Sequence, residues 1–282
     1  MSFGLGLALV MLATAAMHAA WNLFVKGDTD KLSALTAMMA GGGILFAPVA
    51  IFVAAPAPAS WPFIALSITT HVGYYVFLLA AYRAGDLSLV YPIARGCAPL
   101  LVAIGGAILA GELLNFWQSA GVALLSAGIA SLALERGWPR GKDGHPALFA
   151  LATAVFIAGY SLTDGLGVRR AESPLGYIAW LFMLEVLPML GVCIFLRRRA
   201  FFDYLRRRWR LALAGAALSS GGYGIAIWAM SVATMTSIVS LRETSVLFGA
   251  AFGALFLGER FGWRRVVAAV AVVGGNLLLH LT

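Results

Sequence analysis

The chain has 282 residues, 61% of them hydrophobic and only 11% charged, with a mean hydropathy of +0.90. That composition excludes a soluble domain and marks a polytopic membrane protein. A net charge of +8 would suggest a nucleic-acid surface in a soluble chain. Here the basic residues sit in short stretches between apolar runs, where they report topology, and no segment suits nucleic acid. Cys97 and Cys193 both lie inside apolar runs without metal-ligand spacing, so no disulfide, metal or other cofactor is expected.

A helix of about 20 apolar residues crosses the hydrocarbon core of a bilayer. Ten such runs cover residues 3–25, 32–54, 61–82, 87–110, 116–134, 146–168, 174–196, 211–233, 236–257 and 262–280. The first carries no Lys or Arg ahead of it and no clear cleavage site, so it reads as a retained span rather than a signal peptide. The connections are short, the longest being 135–145 and 197–210.

The runs repeat. A shift of 147 positions lays Arg95, Leu100, Ala103, Gly106, Ala107, Gly111 and Glu112 on Arg242, Leu247, Ala250, Gly253, Ala254, Gly258 and Glu259 without a gap. Residues 8–23 align with 147–162 at eight of sixteen positions, and Gly73-Tyr74 lines up with Gly222-Tyr223 across a two-residue gap. The expected architecture is an all-α membrane protein of ten transmembrane helices arranged as two five-helix repeats, 1–134 and 147–282, joined by a linker at 135–146. Five spans is an odd number, so the second copy enters the membrane from the opposite side. Such inverted repeats are typical of alternating-access transporters.

Connections 1-2, 3-4, 5-6, 7-8 and 9-10 hold sixteen Lys and Arg, against only Arg169 and Arg170 on the other side. The positive-inside rule therefore puts both termini outside the cytoplasm. Seven of these sixteen basic residues, all arginines, lie in RRRAFFDYLRRRWR, whose aromatic residues also suit an interfacial segment on anionic headgroups.

The ten spans, the five-plus-five repeat, HAAWNLFVK closing the first span, and the pairs Gly111-Glu112 and Gly258-Glu259 resemble the EamA-like transporters of the drug/metabolite transporter superfamily. HAAWN and LRETS also resemble a branch linked to phosphonate utilisation. The family resemblance implies helices around a central cavity, with spans 3, 4, 8 and 9 supplying much of the lining and spans 5 and 10 toward an edge. It implies small metabolites, often amino acids or their derivatives, moved out of the cell without ATP. The expected setting is the inner (plasma) membrane, with a small-molecule substrate and the lipid bilayer as partners, in a monomer or homodimer. Many relatives are described with cytoplasmic termini, whereas the charge count here gives the reverse.

Arg95 sits among Pro92, Gly96 and Pro99, which predicts a kinked or unwound span beside it. A guanidinium within a membrane costs roughly 2.5 to 3.5 kcal/mol on the mildest scale, so it must face a cavity or a partner. Arg95 and Arg242 are candidate anchors for a carboxylate or phosphonate, to which guanidinium presents a planar fork, or else members of structural ion pairs. Because the second copy is inverted, the two would sit on the order of 12 Å apart along the membrane normal and could serve different access states. Glu185 and Glu243 are candidates for a coupling proton or for pairing with an arginine of another helix; adjacent residues point about 100° apart, so Glu243 does not simply neutralise Arg242. His71, Tyr75 and Tyr82 on span 3, and Tyr223 and Trp228 on span 8, are candidate walls of an organic-substrate pocket. Trp21 and Asn22 match Tyr160 and Ser161 and face either a cavity or another helix. Lys26 reads as an interfacial anchor, Glu112 and Glu259 as turn or cap residues, and Gly249 with Gly253 as a site of close helix approach.

The leading reading is a secondary transporter of small anionic or zwitterionic metabolites. The alternatives are an integral-membrane enzyme acting on lipid-linked phosphate and a passive channel. No HExxH, GxSxG or P-loop occurs, and His18, His71, His145 and His280 are dispersed, which argues against the enzyme.

Overall fold

A lipid solvent turns the usual arrangement of side chains inside out. Arg95, Asp164, Glu185, Arg242 and Glu243 are all buried, while Leu5, Phe52, Ile108, Phe116, Phe195 and Leu255 are largely exposed. The structure is a computed structural model and describes residues 4–84, 87–133, 144–257 and 262–281. Gly258, Glu259 and nearly all of the 135–146 linker lie outside the described residues, as do the side chains of Lys26 and Tyr82 and the surroundings of Gly253.

The described residues fold into α1 (Leu5–Lys26), α2 (Lys31–Phe52), α3 (Trp61–Ala84), α4 (Leu87–Ala110), α5 (Phe116–Ser131), α6 (Gly144–Val168), α7 (Pro174–Arg197), α8 (Arg199–Val232), α9 (Met235–Glu243), α10 (Ser245–Leu257) and α11 (Trp263–Leu281). Eight of these are long and apolar enough to cross a membrane; α5, α9 and α10 are shorter. The chain is thus a multi-pass helical membrane protein.

Local sequence sets the helix starts. The Asp30 carboxylate accepts from the Ser33 amide to open α2, and Ser173 does the same for Gly176 ahead of Pro174 in α7. Asn115 and Gln118 form a reciprocal capping box on α5. The break expected in the fourth run falls elsewhere: α4 runs unbroken through Pro92 and Pro99, whereas the repeat-related ninth run divides at Thr244 into α9 and α10. The arginine-rich stretch is not a connecting loop either. It continues into the span as the 34-residue α8, because it contains neither Gly nor Pro and its Arg, Leu and Ala favour helix. Gly249 does not admit a close neighbour, since a Cβ there would meet nothing within 4 Å.

Helices α3 and α4 pack on α6; α8, α9 and α10 pack on α1; α2 lies against α7 and α8; and α5 lies against α11 and α4. The largest apolar cluster includes Tyr177, Leu181, Ile227, Met230, Met235 and Ile238, on α7, α8 and α9. It backs a polar centre that opens beside it.

Candidate functional site

A cavity of about 80 Å³ lies between α1, α2, α3, α6, α7, α8 and α9. Its walls are aromatic, from Trp21, Tyr74, Tyr75, Tyr160, Phe182 and Tyr223, and its polar groups are His18, His71, Glu185, Ser219, Ser220 and Arg242. An apolar wall with a few oriented polar groups is the usual make-up of a small-molecule site.

Arg242 is the penultimate residue of α9, whose nine residues are all buried, so its charge is delivered into the bundle just before the break at Thr244. The guanidinium carbon lies 4.6 Å from the centroid of the Tyr223 ring, a cation–π contact. It has no carboxylate partner among the described residues.

Arg95 has the opposite surroundings. Its Nε lies 2.8 Å from Glu243 Oε2, and its Nη2 donates to Ser245 Oγ at 3.3 Å. The Nε–H is not aligned on the carboxylate, so the pair is held chiefly by charge. Arg95 and Glu243 do not line the cavity. The turn of about 100° between adjacent helical residues separates Glu243, which faces α4, from Arg242, which faces the cavity.

Glu185 enters the cavity from α7, with Oε1 3.8 Å from His71 Nε2. His71 Nδ1 lies 3.0 Å from the Ser67 carbonyl oxygen and 3.2 Å from Ser67 Oγ; the carbonyl can only accept, so the tautomer that satisfies it carries the hydrogen on Nδ1. The imidazole stacks on Tyr160, centroids 4.1 Å apart, and meets Tyr223 edge-on.

Asp164 on α6 escaped the sequence reading. It is fully buried and accepts hydrogen bonds from the hydroxyls of Tyr177 and Tyr223. The available signal was an acidic residue inside an apolar run, YSLTDGL, which marks a functional position by its cost in a membrane.

Of the expected site residues, Arg242, Tyr75, Tyr223, His71, Trp21 and Glu185 converge on the cavity. Trp228 is 42% exposed and points away, because five residues along a helix from Tyr223 is about 140° around it. Asn22 turns back along α1 to donate to the His18 carbonyl at 2.8 Å. The matched pair Trp21 and Tyr160 both reach the cavity, as do His18 and Tyr74, which sequence reasoning had not selected as site residues.

A second polar cluster closes the bundle at one end. Gly111, at φ +67°, turns the chain after α4 and presents Glu112, whose carboxylate accepts from the Met235 amide at the start of α9. Arg169 donates to Glu112 at 2.5 Å and to the Met230 and Ala233 carbonyls at the end of α8.

Residues 145–281 match the model of the EamA-like transporter family. That segment, just under half of the chain, belongs to the EamA-like family. The family lies within the drug/metabolite transporter superfamily, and the matched segment of this EamA-like protein contains Asp164, Glu185, Tyr223 and Arg242. A solved crystal structure is similar over 98% of this chain and 95% of its own, with a TM-score of 0.75 and 17% identity, a likeness of fold. No curated protein matches the EamA-like chain in sequence.

Proposed function

We propose that this EamA-like protein is a secondary transporter that binds small anionic or zwitterionic metabolites, such as amino acids, in the central cavity and moves them out across the inner membrane by alternating access. The observation that carries this reading is Arg242, a cation with no carboxylate in direct contact among the described residues, in an aromatic-walled cavity that also holds Glu185. A carboxylate or phosphonate would take the guanidinium fork and an ammonium group would meet Glu185, while organic side chains would lie on Tyr75, Tyr160 and Trp21. The conformational side of the proposal rests on two inverted repeats. Exchanging α1 with α6, α2 with α7, α3 with α8, α4 with α9 and α10, and α5 with α11 maps the principal packing partners onto one another. In this reading the arginine-rich face is cytoplasmic and both termini lie outside it.

The test is thermal unfolding of the purified protein with benzoate, glycine, phenylalanine, methylphosphonate and tetramethylammonium. A ligand at a hundredfold excess over its Kd stabilises the native state by about 2.7 kcal/mol. The expected result is a rise in Tm with carboxylates that Arg242→Gln abolishes and Arg95→Gln does not. Stabilisation by tetramethylammonium alone, or by carboxylates equally in Arg242→Gln, overturns the anchor.

A further inference from the structure

The ionisable groups buried in the bundle can be balanced against one another. Arg95 and Glu243 compensate each other at 2.8 Å. His71 and Glu185 face each other at 3.8 Å and are jointly neutral when they share one proton besides that on Nδ1, whichever of the two carries it. Among the described residues, what remains within the cavity region is Arg242 against Asp164, two buried opposite charges on either side of one tyrosine: Arg242 lies over the face of Tyr223, and the Tyr223 hydroxyl donates to Asp164. An anion seated on Arg242 upsets that balance by a full negative charge in a membrane interior, where an uncompensated charge is costly.

We propose that Asp164 is a proton site tied to anion occupancy of Arg242 through Tyr223, taking up one proton for each anion that the guanidinium receives. The inference rests on the reading of Arg242 as the anion anchor. The proton comes from bulk water and forms one O–H bond on the carboxylate, so anion and proton occupy the protein together as an electrically neutral pair.

The surroundings of Asp164 suit a group that changes its charge. Its partners are hydroxyls, Tyr177 from α7 and Tyr223 from α8, with Ser67 of α3 as a third. A hydroxyl can donate to a carboxylate or accept from a carboxylic acid, so the same cradle holds both forms. The titratable or charged groups that approach this centre from the neighbouring helices include His71 and Tyr75 on α3, Glu185 on α7, Arg242 on α9, and Arg95 on α4, the last already paired with Glu243, with Tyr160 on α6 itself. None of these forms an ion pair with Asp164 among the described residues. Glu185 opens onto the cavity, whereas Asp164 is fully buried and linked to it through Tyr223.

The experiment is infrared difference spectroscopy on the purified protein in detergent near neutral pH, reading the carboxylic-acid carbonyl band, with benzoate as the probe and an indicator dye for proton uptake. In the unmodified protein benzoate should produce the acid band and the uptake of about one proton per benzoate, and its affinity should strengthen up to tenfold per unit fall in pH. Asp164→Asn should still bind benzoate but lose the band, the uptake and the pH dependence; Glu185→Gln should keep the band. Arg242→Gln should show the acid band without any ligand, because its cation is gone, and Arg242→Gln with Asp164→Asn should not. Tyr223→Phe, which leaves the carboxyl in place, should shift the band because one of its hydrogen bonds is lost. The proposal is overturned if Arg242→Gln alone shows no acid band, if the band survives Asp164→Asn, or if Tyr223→Phe leaves it unmoved. Failure of benzoate to bind the unmodified protein counts instead against the anion anchor, and the ligand-free Arg242→Gln spectrum then decides the proton site.

Discussion

Arg95 and Arg242, which align under the 147-position shift of the sequence, meet opposite environments, one held by Glu243 and Ser245, the other facing a cavity over Tyr223. Truncating one member of a buried ion pair leaves an uncompensated charge and costs about 3 to 5 kcal/mol. Arg95→Met should therefore lower the Tm in detergent sharply, and the double variant Arg95→Met, Glu243→Leu should recover much of the loss; Arg242→Met should have the milder effect on unfolding. An equal loss of Tm in Arg95→Met and Arg242→Met would remove the distinction. The sequence put both arginines within apolar runs but could not tell which was paired. Glu243 is next to Arg242 along the chain, yet its partner belongs to α4, and that depends on which helix faces meet. Asp164 was visible as a charge in an apolar run, while its two tyrosine partners, 13 and 59 residues away, were not.

At the scale of elements, the pair α5 and α11 depends on two glycines. A Cβ on Gly121 would sit 2.6 Å from the Gly275 carbonyl oxygen, and one on Gly275 would sit 2.5 Å from that of Gly121. Backbone cannot yield as a side-chain tip can, so either Gly→Ala change must push the helices apart, at about 1 to 3 kcal/mol for an overpacked site. Gly121→Ala should lower Tm measurably, while Gly249→Ala, which meets open space, should not; equal effects would show that the close approach does not matter to stability. Apolar length made eight of the ten expected spans legible, because a bilayer demands it of each one; the fifth run forms a 16-residue helix and the ninth is divided into α9 and α10. It did not reveal how they end. Pro92 and Pro99 are accommodated within α4, while the division at Thr244 arises in a segment with no proline. The helix that absorbs the arginine run was hidden because charge signals topology while propensity decides whether the backbone stays helical.

For the whole molecule, Glu112 and Arg169 join the C-terminal ends of α4, α6 and α8 to the first turn of α9. The cavity residues of α1 and α2, Trp21 and Met38 among them, lie toward the other face, so this cluster closes the bundle at the end away from them. Arg169, one of only two basic residues the charge count placed on that side, is thereby occupied with Glu112 and helix carbonyls. A partly exposed pair contributes about 1 kcal/mol, roughly a fivefold shift between two states. In proteoliposomes of a variant lacking Cys97 and Cys193, a cysteine replacing Ser220 should react several-fold faster with an impermeant maleimide from that face once Glu112→Ala is added. An unchanged rate would mean that the cluster does not hold the face shut. Helix α8 gives this closure a mechanical reach. At 34 residues it is about 51 Å long, well beyond the roughly 30 Å of a hydrocarbon core. Near its start the Tyr204 hydroxyl donates to Asp28 at 2.6 Å, mid-way it carries Tyr223, and its last carbonyls are gripped by Arg169. One uninterrupted rod thus joins the Asp28 contact, the cavity wall and the Arg169 grip, and under the alternating access proposed above it would work as a rocker arm: a displacement that frees one end is felt as leverage at the other, with the cavity wall close to the pivot.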